Sequence, residues 1–158
     1  MSNRALSLLV APLALAALAV AQEPAEPRPL LPGDPAPALR VAEWIQGTPV
    51  ESFQEGKPYV VEFWATWCAP CKRSIPHINE LYLQHKQAGL EVIGVSIWER
   101  DTSGIVPFVE EMGERMGYAV ARDVVPEGDA RGSKGFMSLN WMKAAGQDGI
   151  PSAFVIDR

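Results

Sequence analysis

Cys68 and Cys71 are the only cysteines in this 158-residue chain, and they stand in the run Trp67-Cys68-Ala69-Pro70-Cys71-Lys72. A disulfide between residues so near in sequence closes almost no loop and therefore constrains the unfolded chain little. The pair reads as redox chemistry, in which one thiolate attacks a disulfide and a second thiol resolves the mixed disulfide. The run lies where a predicted strand passes into a predicted helix, so Cys68 falls at a helix start, beside unpaired N–H groups and the positive end of the dipole. That setting lowers a thiol pKa from about 8.5 into the range of roughly 3.5 to 7.5. Cys68 is expected to be the exposed nucleophile and Cys71, one turn inward, the resolving thiol. Pro70 limits the backbone between them.

Metal binding is the competing use of such a pair. Zinc takes four ligands in structural sites and three protein ligands in catalytic ones. The only histidines are His77 and His85. On a helix, His77 lies roughly 180° round from Cys68, and His85 lies about 21 Å along the axis from Cys71. Neither closes a site with the cysteines, and copper delivery lacks a third ligand for the same reason. No metal and no cofactor are expected.

The elements that must hold this pair follow from pattern. Residues 59–64 (YVVEFW) form a β-branched and aromatic run, expected as a buried strand. Residues 69–88 carry Ile75, Ile78, Leu81 and Tyr82 at helical spacing and stop at Gly89. A second strand is expected at 90–98 and a second helix at 103–116, with Pro107 in its first turn. Weaker strands are expected at 118–121 and 154–157, and a β-hairpin at 39–53 around Gly47-Thr48-Pro49. The 122–149 segment is longer than a simple connection and holds a predicted short helix at 139–145. Strand and helix alternate, which implies an α/β sheet with a parallel βαβ unit.

The first 21 residues read as a secretory signal. Arg4 supplies the positive end, 5–20 is uncharged and rich in Ala and Leu, and Ala19-Val20-Ala21 offers cleavage before Gln22. An uncleaved N-terminal anchor is the alternative; with no cysteine near the cleavage site, a lipoprotein anchor is excluded. Residues 22–37 hold Pro24, Pro27, Pro29, Pro32, Pro35 and Pro37, expected as an extended tether ahead of a single domain at 38–158. Net charge is −5, without a run of Lys or Arg, which excludes an electrostatic footprint for nucleic acid. Export places the cysteines in a periplasmic or otherwise extracytoplasmic compartment, where disulfides persist.

The chain resembles the thioredoxin superfamily, and within it the exported TlpA/ResA-like (redoxin) branch of thiol-disulfide oxidoreductases. The residues that carry the resemblance are VVEFWATWCAPCK at 60–72, Pro76, and GIPSAFVIDR at 149–158. The resemblance implies a central mixed sheet flanked by helices and reversible dithiol–disulfide exchange with partner proteins. It places a buried acid at Glu62, six residues before Cys68, where a carboxyl inside an apolar strand is costly and needs a reason. Its expected task is to take the proton of Cys71 during resolution. The alternative is an acid at a strand edge facing water. Pro76 corresponds to a kinking proline of structural role. Pro151 corresponds to a cis-proline facing the cysteine pair, with Ile150 offering backbone to an extended client segment. Trp67 is expected to flank the site and Trp64 to lie in the core.

Two departures stand out. The 122–149 segment, with Met137, Leu139, Trp141 and Met142, exceeds the minimal fold and is expected to pack over the sheet. The family fold also continues with another antiparallel strand and a helix beyond the position of Arg158, so the C-terminal end of the fold is expected to be missing. The clients that the resemblance implies are exported cysteine-containing proteins, apocytochrome c among them, with a membrane electron-transfer protein as donor and reduction as the direction. Two rival readings are a peroxiredoxin-like thiol peroxidase and a non-catalytic binding module. The first calls for a Thr further from its cysteine than Thr66 is, with a Pro upstream, and neither is present.

Overall fold

The computed structural model describes residues 29–157; the expected signal, the first part of the tether and Arg158 lie outside the described residues. Five strands, β1 (Val41–Gln46), β2 (Tyr59–Trp64), β3 (Glu91–Ser96), β4 (Ala119–Asp123) and β5 (Ser152–Ile156), form one sheet in the order β1-β4-β3-β2-β5. β2, β3 and β4 run parallel, while β1 lies antiparallel to β4 and β5 antiparallel to β2. Helix α1 (Ala69–His85) joins β2 to β3, and α2 (Ile105–Met112) joins β3 to β4. Parallel neighbours need such crossovers, because a tight turn cannot return the chain to the same end of the sheet.

Alternation along β2 assigns its side chains to two cores. Tyr59, Val61 and Phe63 face a cluster with Ile93, Val95, Met137, Trp141 and Met142. Val60 and Trp64 face the opposite cluster, beneath the helices, with Cys71, Ile75, Phe108 and Tyr118. Period two therefore puts Glu62 on the helix-covered face. Both faces of β2 are covered, which explains why its sequence is apolar nearly throughout.

Three expectations change. Residues 39–53 form no hairpin: β1 is a single strand, and its partner is β4, far along the chain. Gly47 (φ 78°) turns the chain away at the end of β1, where an added Cβ would stand 2.7 Å from the Ala119 Cα. The helix expected at 103–116 is α-helical only over Ile105–Met112, with Pro107 in its first turn. It ends at Gly113 (φ 51°) and passes into the 3₁₀ turn Gly113–Met116. The short helix expected at 139–145 is a π-helical turn, Ser138–Lys143. As expected for the long segment, Met137, Trp141 and Met142 are buried over the sheet, though Leu139 points outward.

Residues 30–37, expected as spacer, lie against the domain. The Leu30 N–H donates to the Ala144 carbonyl at 2.8 Å, the Trp141 indole N–H donates to the Ala38 carbonyl at 3.2 Å, and Ala36 packs on the second core.

Candidate redox site

Cys68 is the N-cap of α1, in extended conformation, and the next residues supply the first turn, with Pro70 where its missing N–H costs nothing. The Cys71 N–H points at the Cys68 Sγ, 3.1 Å away, so the sulfur occupies the place that a capping oxygen usually takes. The two cysteines are joined in a disulfide with Cα atoms 5.2 Å apart. Cys71 continues inward as the first of the buried stripe Cys71, Ile75 and Asn79, four residues apart on one face of α1.

Cys68 is less open than the sequence suggests. It is only 3% exposed in this disulfide state, and the Ile150 carbonyl oxygen lies 3.6 Å from its sulfur. The loop before β5 folds over the helix start and covers it. The Ile150–Pro151 peptide in that loop is cis. β5 holds the loop in place by pairing Ser152 with Phe63 on β2. Trp67 is 57% exposed beside the cysteines, Pro70 is exposed, and Trp64 is fully buried.

Glu62 is 2% exposed, which rules out a water-facing position. Its Oε1 accepts a hydrogen bond from the Tyr118 hydroxyl, across the intervening strand β3. Burial, opposed by that hydrogen bond, pushes its carboxyl up to about 7. Tyr118 is raised as well, first by burial and then by the Glu62 charge and hydrogen bond. The residue paired with Glu62 on β3 is Gly94. A Cβ there would lie 3.0 Å from a Tyr118 ring carbon, 3.2 Å from the Trp64 Nε1 and 3.4 Å from the Glu62 Oε1. The missing side chain at Gly94 is what makes room for this group.

The histidines stay clear of the cysteines. His77 and His85 are exposed, and His77 faces Glu80 at 3.8 Å. Among the described residues no cluster of His, Cys, Asp and Glu could hold a metal ion.

A family model of the AhpC/TSA family matches residues 32–158. The chain belongs to that family. Its curated relatives include Protein FixW of Rhizobium leguminosarum, 27% identical over 128 residues, covering 80% of this chain and 56% of that one. They also include Thiol-disulfide oxidoreductase ResA of Oceanobacillus iheyensis, 39% identical over 69 residues, covering 41% of this chain and 36% of that one. The chain thus spans about half, or less, of the length of these relatives. Among solved structures, a thiol-disulfide isomerase from Corynebacterium glutamicum superposes with a TM-score of 0.60 at 25% identity, covering 78% of this chain and 80% of that one. The mixed sheet flanked by helices expected from the motifs is therefore the observed fold, and the redoxin resemblance finds its counterpart in the AhpC/TSA match.

The partners of the expected site residues come from distant parts of the chain and are not legible in the sequence. Tyr118 and Gly94 reach Glu62 only through the parallel register of β2, β3 and β4. Glu99 was also missed, although its carboxylate accepts from the Thr66 N–H (2.6 Å), the Thr66 hydroxyl (2.8 Å) and the Ser96 hydroxyl (2.8 Å). So was buried Asn79, which donates to the Glu114 carbonyl and accepts from the Gly117 N–H, both at 2.8 Å. A polar residue on the apolar stripe of α1 was the available signal for Asn79.

Proposed function

We propose that this chain is a protein-disulfide oxidoreductase that reduces disulfides of exported cysteine-containing proteins through Cys68 and Cys71. The observation that carries the reading is the Cys68–Cys71 disulfide at the start of α1, with the Cys68 sulfur both capping that helix and facing the Ile150 carbonyl.

In the reduced enzyme the Cys68 thiolate, stabilised by the Cys71 N–H and the helix dipole, attacks one sulfur of the client disulfide. One client thiolate leaves, and the other client sulfur stays bonded to Cys68. Glu62 takes the Cys71 proton, and the Cys71 thiolate attacks the Cys68 sulfur, expelling the second client thiolate. Two electrons have then passed to the client, and Cys68–Cys71 is the disulfide described above. A membrane electron-transfer dithiol protein restores it by the same exchange in reverse. A carboxyl with a pKa of about 7 suits the base role, because near neutrality it can both accept and release a proton. Ile150 offers main-chain hydrogen bonding to an extended client, Pro151 keeps an N–H away from the sulfurs, and Trp67 and Pro70 form the exposed surface at which the client arrives.

Residues 1–21 as a cleaved signal put this chemistry in an extracytoplasmic compartment, and among the described residues no helix is long and apolar enough to cross a membrane. Apocytochrome c is the client class that the TlpA/ResA resemblance favours. The test is reduction of insulin disulfides by the purified protein with dithiothreitol as donor, together with redox titration of Cys68–Cys71. Turnover abolished by Cys68→Ser supports the proposal; no acceleration over dithiothreitol alone refutes it. A potential more oxidising than that of the compartment would reverse the direction.

A further inference from the structure

The segment after β3 meets the loop that leads into Cys68 in an unusual way. Glu99 binds both the N–H and the hydroxyl of Thr66 with its two carboxylate oxygens, and a third hydrogen bond from Ser96 fixes the carboxylate itself. The adjacent Trp98 has φ 58°, a backbone conformation that a bulky residue adopts only when its surroundings enforce it. In that conformation its carbonyl accepts from the Trp67 indole N–H at 3.1 Å. Its own indole N–H donates to the Ser138 hydroxyl at 2.6 Å, at the start of the π-helical turn. Ser138 is in turn fixed to β4, since its backbone N–H and that of Met137 donate to the buried Asp123 carboxylate at 2.9 and 2.8 Å. Gly132 lets the long segment pass closely over this point: a Cβ there would lie 3.1 Å from the Trp98 Cα.

A cleft of about 660 Å³ opens beside this arrangement, with Thr66, Trp67, Trp98, Arg100, Arg131 and Asp148 in its walls. Trp67 immediately precedes Cys68, and Asp148 lies two residues before Ile150, so the two loops that carry the Cys68 sulfur and the carbonyl facing it both contribute to the walls of the cleft. Its walls combine indole surface with charges of both signs. That chemistry suits a stretch of polypeptide rather than a small apolar or singly charged molecule.

We infer that Glu99 and Trp98 are positioning residues of the exchange reaction. They hold the Thr66–Trp67 loop, and with it the Cys68 sulfur, against a cleft that receives the client chain flanking its reacting disulfide. The inference rests on the exchange reading above and adds to it where the client lies and what aligns it. Breaking the Thr66 hydrogen bonds loosens the loop before the nucleophile and acts on turnover. Breaking the Trp98–Ser138 bond lets the long segment shift and acts on client binding.

The test compares insulin with hydroxyethyl disulfide as substrates of the wild type and of Glu99→Ala, Glu99→Gln and Trp98→Phe. Glu99→Ala is expected to lower kcat on insulin about tenfold, the scale of losing charge-assisted hydrogen bonds near a reacting centre. Glu99→Gln, which can still accept from the Thr66 N–H and donate to its hydroxyl, is expected to recover most of that loss. Trp98→Phe keeps an aromatic ring but loses the pyrrole half of the indole with its N–H; it is expected to raise KM for insulin several-fold, and by more than it raises KM for hydroxyethyl disulfide, with a smaller change in kcat. Glu99→Gln as impaired as Glu99→Ala, or equal KM changes on the two substrates for Trp98→Phe, would overturn the inference while leaving the exchange reading intact. A wild type inactive on both substrates would overturn both.

Discussion

Replacing Glu62 by Gln separates the energetic cost of this residue from its proposed chemical use. The folded carboxyl titrates near 7 instead of the ordinary 4.5, chiefly because it is buried. Below pH 4.5 the folded and unfolded chains both hold the proton, and the site carries no penalty. As pH rises from 4.5 towards 7 the unfolded chain has released the proton while the folded chain keeps it. Stability therefore falls, by up to about 1.4 kcal/mol per pH unit. Above 7 both states are ionised, and the loss levels off at about 3 kcal/mol. Glu62→Gln removes this penalty and preserves the shape, and its amide oxygen still accepts from the Tyr118 hydroxyl. Urea unfolding of the oxidised proteins at intervals from pH 4.5 to 8.5 should show the wild type losing about 3 kcal/mol relative to the variant. Stopped-flow kinetics of the reduced proteins should show a near-normal first attack by Cys68 in the variant. Release from the mixed disulfide should slow on the order of tenfold to a hundredfold. Parallel stability curves across that pH range would refute the burial argument, and unchanged release would leave Glu62 without a role in resolution.

Alkylation of the reduced protein at mildly acidic pH should label Cys68 before Cys71, since only Cys68 caps the helix, and mass spectrometry of the peptides reads the order; faster labelling of Cys71 would reverse the two roles. Gly94→Ala should cost about 1–3 kcal/mol, because the new Cβ enters the tight space between Tyr118, Trp64 and Glu62; an unchanged thermal midpoint would mean that these neighbours yield easily. Asn79→Ala should also cost about 1–3 kcal/mol, since the Gly117 N–H and the Glu114 carbonyl both lose their side-chain partner. Chemical denaturation measures it, and a change below a few tenths would show that water replaces the amide.

What the sequence revealed was local. The spacing of Cys68 and Cys71, the apolar run of β2 and the oddity of Glu62 within it are all contained in about a dozen consecutive residues, so pattern and desolvation suffice to read them. The misreadings concern distance. The 39–53 stretch carries a turn signal at Gly47 that suits a hairpin, but the strand before it finds its partner in β4. Cys68 was expected to be exposed because a helix start usually is; the loop at Ile150, 82 residues on, covers it. Tyr118, Gly94 and Glu99 were invisible for the same reason, each meeting its site residue only after the sheet has assembled. The 122–149 segment could be assigned to the sheet surface from its apolar residues, but its connection to Trp67 through Trp98 and Ser138 depends on one unusual φ angle that no residue type announces.

The register that sets Glu62 opposite Gly94 also bears on how such a site can be transplanted or can drift. An acid grafted at this place in another scaffold brings its cost with it unless the neighbouring strand contributes an empty position in the same row. The portable unit is therefore not a stretch of sequence around the cysteines but a pair of positions on two strands, joined by a tyrosine at the start of a third. A lineage that lost the acid would free the glycine to acquire a side chain, and one that first filled the glycine position would make the acid harder to keep. The two positions should change together.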